Sequence, residues 1–145
     1  MNFIRLARLD FLPNSVDAGL LALRVWLGLS ILCLHGWGKL VTFSEKSGSF
    51  PDPLGVGSKA SLAMLLFGEV VCAALLAVGL FTRFSAAVLS FAMGVAFFVQ
   101  HKGALSGPSN GELAFVYLAG FVALFIAGGG RASIDASLGG RTQTP

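Results

Sequence analysis

The sequence predicts an all-α integral membrane protein, a bundle of four spanning helices, and three observations carry that expectation. Hydrophobic residues make up 55% of the 145-residue chain and charged residues only 12%, far from a water-soluble composition. The mean hydropathy is +0.81. Of ten basic and seven acidic residues, only Arg24, Lys39, Glu69 and Glu112 fall inside four apolar stretches, roughly 18 to 40, 60 to 79, 84 to 101 and 112 to 128. Each stretch approaches the length of about 20 residues that a spanning helix needs. A helix also satisfies its own backbone groups in hydrocarbon, which an isolated strand cannot do. The formal charge of +3 is spread too thinly to serve an acidic polymer. With no basic run and no basic stripe interleaved with aromatics, a nucleic-acid partner is excluded.

In chain order, Phe3 to Leu12 is apolar around Arg5 and Arg8 and ends before Pro13, a pattern suited to a short helix lying at the membrane interface. The first span follows. It is too long for a secretory h-region and no small-residue cleavage site comes after it, so it reads as retained. Residues 41 to 57 form the longest connection, with charges and the breakers Gly48, Pro51, Pro53, Gly55 and Gly57. Gly79 to Arg83 makes a tight hairpin between the second and third spans. Gly107-Pro108-Ser109-Asn110-Gly111 then breaks the chain before the fourth span. The tail from Gly128 to Pro145, rich in Gly, Ser and Thr, reads as mostly exposed and partly mobile. The chain is expected to form one membrane domain over residues 1 to 145.

Basic residues in short loops set orientation. Arg5, Arg8, Arg83, Arg131 and Arg141 fall on one side and Lys46, Lys59 and Lys102 on the other, with Lys39 near the border. The excess places both termini in the cytoplasm, in a multi-pass protein of the plasma (inner) membrane.

Ionisable side chains inside a span are costly and mark candidate sites. At 1.5 Å per residue, Arg24 lies about 9 Å and Glu69 about 16 Å from the inner ends of sequential antiparallel spans, so an Arg24–Glu69 ion pair fixing helix register is expected. His35 comes eleven residues after Arg24 and returns to within about 20° of the same face. Lys39 lies near the outer boundary, where it reads as a snorkelling anchor. In the third span Ala87, Ser90, Gly94 and His101 share a small-residue face ending in an imidazole. Glu112 begins a similar face with Ala119, Ala123 and Ala127, and Ser109-x-x-Glu112 matches a capping box. His35, Lys39, His101 and Glu112 therefore converge on the outer half, with the Asp52 loop expected to close over that side.

No two metal ligands have a recognisable spacing, so no metal site is assigned and a haem is less favoured. Cys33 and Cys72 fall at depths about 10 Å apart, too far for a disulfide. There is no phosphate loop, and Gly128-Gly129-Gly130 follows a helix instead of opening one. An imidazole and carboxylates at the interfacial end of an apolar bundle do suit a lipophilic quinone, whose carbonyls need hydrogen bonds and whose reduction needs protons.

Leu23-Arg24-Val25 early in the first span, His35-Gly36-Trp37-Gly38-Lys39-Leu40 at its end and Glu69 followed by Leu80-Phe81-Thr82-Arg83 form an ordered pattern. Together with Gly130-Arg131 and Ser133-Ile134-Asp135, it resembles the DoxX family of small four-helix membrane proteins. The resemblance runs over nearly the whole chain. It implies a membrane-redox role, since the family takes its name from the membrane subunit of a thiosulfate:quinone oxidoreductase. Arg24, His35, Lys39 and Glu69 match recurrent polar positions of the family. Such an enzyme implies a redox partner subunit, which this chain does not contain.

Three functions compete. The leading one is a redox-associated subunit holding a quinone at its outer half, with His35 and Glu69 or Glu112 handling protons, Arg24 orienting Glu69, and Arg24, Lys39, His101 and Glu112 as ligand-binding candidates. The alternative is a non-catalytic scaffold or adaptor docking a partner protein through the loop from Ser44 to Ser58. A small-solute transporter is disfavoured, because four spans without a repeat make a poor alternating-access device. Small-residue faces beyond the needs of one bundle also allow a homodimer.

Overall fold

A computed structural model describes residues 15 to 139; the expected interfacial helix at residues 3 to 12 lies outside the described residues, as does the end of the tail. The described chain is all-helical. Six helices run α1 (Val16–Val41), α2 (Phe43–Lys46), α3 (Ser58–Val78), α4 (Thr82–Gln100), α5 (Glu112–Ala127) and α6 (Ile134–Leu138). Of these, α1, α3 and α4 have 26, 21 and 19 residues and are long and apolar enough to cross a membrane. The 16 residues of α5 are apolar but fewer. At 1.5 Å per residue α5 is about 24 Å long, short of a hydrocarbon core of about 30 Å.

Sequential helices pack as antiparallel neighbours, α1 on α3, α3 on α4 and α4 on α5, and α5 returns to α1 to close a ring of four. The core at the centre of that ring comprises Ile31, Cys72, Ala73, Leu76, Ala86, Leu89, Met93, Phe121 and Leu124. Outward faces keep large apolar side chains such as Trp26, Phe91, Val116 and Ile126, the reverse of a soluble bundle and the distribution that lipid solvates. Cys72 is buried and Cys33 exposed on the outer face of α1, and both are free thiols.

Local chemistry sets the helix ends. The Ser15 hydroxyl accepts the Ala18 amide at 3.1 Å and starts α1. Gly79, at φ +77°, ends α3, with the Leu80 amide returning to the Leu75 carbonyl in a Schellman arrangement. The residue before α4, Phe81, offers no side-chain cap. A distant carboxylate does that work: Asp135 accepts the Phe81 amide at 2.7 Å and the Thr82 amide at 2.8 Å.

Small residues set the register of α1 against α3. A Cβ on Gly28 would lie 2.7 Å from the Ala73 carbonyl oxygen, and one on Gly36 would lie 2.6 Å from that of Glu69. The two backbones therefore touch at two levels, which aligns Glu69 with Gly36 and leaves Arg24 at the other end of the bundle.

Candidate functional site

Three of the four long helices widen at the same end. Ile31–Gly36 in α1, Phe67–Cys72 in α3 and Val95–Gln100 in α4 are π-helical. Their amides reach back five residues, as from Trp37 to Leu32 and from His101 to Ala96. Each π turn carries an extra residue relative to an α-helix and re-aims the side chains beyond it, and such turns recur at functional sites. Here they surround a cavity of about 350 Å³ that Ile31, His35, Lys39, Leu65, Glu69 and Met93 line from α1, α3 and α4. Tyr117 and Ala114 of α5, with His101, Asn110 and Gly111 at the rim, complete the wall.

The polar groups in this cavity are ordered. Lys39 Nζ donates to both Glu69 carboxylate oxygens, at 2.6 and 2.9 Å, and Glu69 is only 3% exposed. Lys39 stays in contact with solvent, with a side-chain exposure of 25%. The His35 ring meets Tyr117 edge to face at 6.0 Å, and Tyr117 stacks on Phe121 at 5.9 Å, so the core orients the phenol and the phenol abuts the imidazole. Among the described residues the His35 ring has no hydrogen-bond partner. At the rim, His101 Nδ1 lies 3.2 Å from the Ser109 carbonyl oxygen. Because a carbonyl only accepts, a hydrogen bond here is donated by Nδ1, which leaves Nε2 as the ring nitrogen without a bond.

This geometry corrects the expected Arg24–Glu69 pair. Arg24 lies twelve residues before Gly36, about 18 Å along the helix. Its guanidinium is 2% exposed and donates from Nη1 to the Ala77 carbonyl at 2.6 Å and from Nη2 to that of Ala132. Lys39 takes the place beside Glu69 that the sequence reading gave to Arg24. Counting depth from the helix ends missed this, because the Gly28 and Gly36 contacts, not equal span lengths, fix the register.

Arg24 instead anchors a clasp at the far end. Ser133 is buried and bonds the Gly130 carbonyl at 2.6 Å, the Asp135 amide bonds the Gly79 carbonyl at 2.9 Å, and the Arg131 amide bonds Asp17 at 2.8 Å. Burial pushes the Asp135 carboxyl up, but the Thr82 and Phe81 donors and the Arg24 charge outweigh it and hold the group below its ordinary value. Residues 129 to 135 are thus tied to the hairpin by these bonds, while most of the described tail from Gly128 to Gly139 is exposed, as expected.

Two further expectations change. The Ser109-x-x-Glu112 capping box does not form, since Gly111 precedes α5 and the Asn110 side chain accepts the Glu112 amide at 2.9 Å. Glu112 itself is exposed and does not line the cavity. Nor does the 41 to 57 loop close over the site. Asp52 folds that loop on itself and onto α3, accepting from Ser61 Oγ at 2.6 Å and from the Gly57 and Val56 amides at 2.7 and 3.0 Å. The Ser61 hydroxyl, followed by the amides, holds the Asp52 carboxyl below its ordinary range.

Of the residues singled out from sequence, the fold gathers His35, Lys39, Glu69 and His101 into one cavity and leaves Arg24 and Glu112 outside it. Sequence reasoning missed Tyr117 and Asn110. Tyr117 had one available signal, as the chain's single tyrosine, set in an otherwise apolar span. Among the described residues no three His, Cys, Asp or Glu side chains are grouped so as to hold a metal ion.

A family model described as DoxX matches residues 19–102. An uncharacterized protein of Haemophilus influenzae is 34% identical over 113 residues, 70% of this chain and 78% of that protein. No solved structure matches the chain.

Proposed function

The chain belongs to the DoxX family of membrane proteins, and on that premise we propose that it is a redox-associated membrane subunit whose cavity receives the ring of a lipophilic quinone. One observation carries the reading: hydrogen-bonding and proton-carrying groups from three helices and from the residue after α4, His35, Lys39, Glu69, Tyr117 and His101, meet in one cavity at the end of an otherwise apolar bundle. The residues suit the ligand. Ile31, Leu65, Met93 and Ala114 offer an apolar bed for a ring, and the imidazole, the phenol and the ammonium offer donors to its carbonyls. A quinone supplies two-electron chemistry coupled to the uptake of two protons. Within the chain, His35 donates a hydrogen bond and a proton toward the cavity, Glu69 exchanges protons beside it, and Lys39 holds Glu69 in place.

The electron source in this reading is a partner subunit, and the bundle serves as its membrane seat, as a monomer or a homodimer. The protein lies in the plasma (inner) membrane. Both termini face the cytoplasm, in keeping with Arg83 and Arg131 at the clasp end and Lys59 and Lys102 at the cavity end. A periplasm-active reporter fused after Pro145 is expected to be silent; activity there would reverse the orientation.

The direct test is native mass spectrometry and lipid extraction of the gently purified protein, wild type against His35→Gln. The reading expects a quinone mass on the wild type and at least a tenfold loss of occupancy in a folded His35→Gln variant. Equal occupancy removes His35 from the site. A protein partner on a quinone-free chain would instead favour the adaptor role, and Leu54 and Val56, exposed on the Asp52-tied loop, mark where such a partner would dock.

A further inference from the structure

The charge arrangement of the cavity dictates which ligands it admits. Among the described residues that line it, Lys39 and Glu69 alone carry a formal charge, and they neutralise each other through two short contacts. An ammonium at the mouth of an apolar cavity is ordinarily an anion site. Here the anion position is already filled from within the chain. Glu69 sits on the π-helical stretch of α3 where α1 approaches most closely, with its own carbonyl oxygen 2.6 Å from where a Cβ on Gly36 would lie. At 3% exposed, its carboxylate is packed in place beside the ammonium.

We propose that Glu69 is the specificity-determining residue of this cavity, a built-in counter-anion that excludes small oxyanions and carboxylates and restricts the site to uncharged ligands with carbonyl or hydroxyl groups. An incoming anion would meet the Glu69 carboxylate's charge beside the ammonium, and taking the ammonium for itself would strand that carboxylate in a buried position. The penalty for breaking a buried pair corresponds to discrimination of about 100-fold or more. An uncharged ligand pays neither cost. It approaches His35 and Tyr117 with the ion pair intact. The inference rests on the reading of this cavity as the ligand site, and extends it by naming the class admitted and the residue that enforces the choice.

Removing the carboxylate should therefore turn a neutral-ligand site into an anion site. The full chain is purified in detergent at pH 8, and its melting temperature is followed against formate, the smallest carboxylate, with ionic strength held constant by the bulky anion gluconate. A short-chain benzoquinone is titrated in parallel. Wild type should respond to the quinone and not to formate. Glu69→Ala should gain a saturable rise of about 2 to 4 °C with formate. Lys39→Met/Glu69→Ala should lose that rise. If Glu69→Ala is too unstable to purify, Glu69→Gln decides, because its amide keeps the volume and still frees the ammonium. A formate response in wild type that Lys39→Met abolishes overturns the inference, as does a folded Glu69 variant with no formate response. If the variant gains formate binding but no protein responds to the quinone, the charge selectivity stands and the quinone reading falls.

Discussion

Replacing Arg24 with methionine tests whether this buried charge belongs to the frame of the bundle or to its site. Two charge-assisted bonds would be lost, Nη1 to the Ala77 carbonyl at 2.6 Å and Nη2 to the Ala132 carbonyl. Ala77 lies in the last turn of α3, so its carbonyl has no partner within the helix, and the guanidinium supplies one. Bonds of this kind contribute about 1.5 to 3 kcal/mol each. Part of that returns, because methionine no longer buries a guanidinium whose Nε is without a partner. The net cost is about 2 to 4 kcal/mol, or roughly 5 to 15 °C in Tm. Thermal unfolding in detergent, followed by circular dichroism, reads that loss, and quinone occupancy measured well below Tm should stay at the wild-type level. Arg24→Lys should recover little, since one ammonium cannot fork to two carbonyls. A shift below about 0.5 kcal/mol, or loss of ligand with stability intact, would refute the structural role.

The other expectations are shorter. Asp135→Asn weakens the cap on α4 and should cost about 1 kcal/mol, measured by the same unfolding assay. Because the folded Asp135 sits below its ordinary value, its contribution is fully present above the unfolded carboxylate range and fades as pH falls through the folded one. The wild type should therefore lose stability below about pH 4, and the variant should lose less over that interval; parallel pH curves would count against the cap. Gly36→Ala puts a methyl 2.6 Å from the Glu69 carbonyl oxygen, whereas Gly94→Ala meets nothing within 4 Å. The first should destabilise by about 1 to 3 kcal/mol and reduce ligand occupancy. The second should be neutral or up to about 1 kcal/mol stabilising, and equal effects would show that α1 and α3 do not meet at Gly36.

The all-helical membrane class was legible in the sequence, because burying about 20 apolar residues per segment in lipid is a local requirement that composition and the placement of charge reveal directly. The four helices and the hairpin at Gly79 follow from the same reading. So does the convergence of His35, Lys39 and His101 on one end, since helix rise alone orders residues by depth.

Partner choice was not legible. Depth alone paired Glu69 with Arg24 and left Lys39 as a snorkelling anchor, and the answer came from backbone contacts at Gly28 and Gly36 that set the register of two helices separated by a long loop. Hydrophobic periodicity likewise carries no mark of a π turn, so the widening at residues 31 to 36, 67 to 72 and 95 to 100 that opens the cavity was hidden. Gly130 to Asp135 read as a polar tail, because its partners, the Gly79 carbonyl, the Phe81 and Thr82 amides and the Arg24 guanidinium, are backbone groups and a charge brought close only by folding. Depth in the membrane is written along the chain one residue at a time. Which helix faces which, and at what register, depends on contacts between distant segments, and only the tertiary structure decides that.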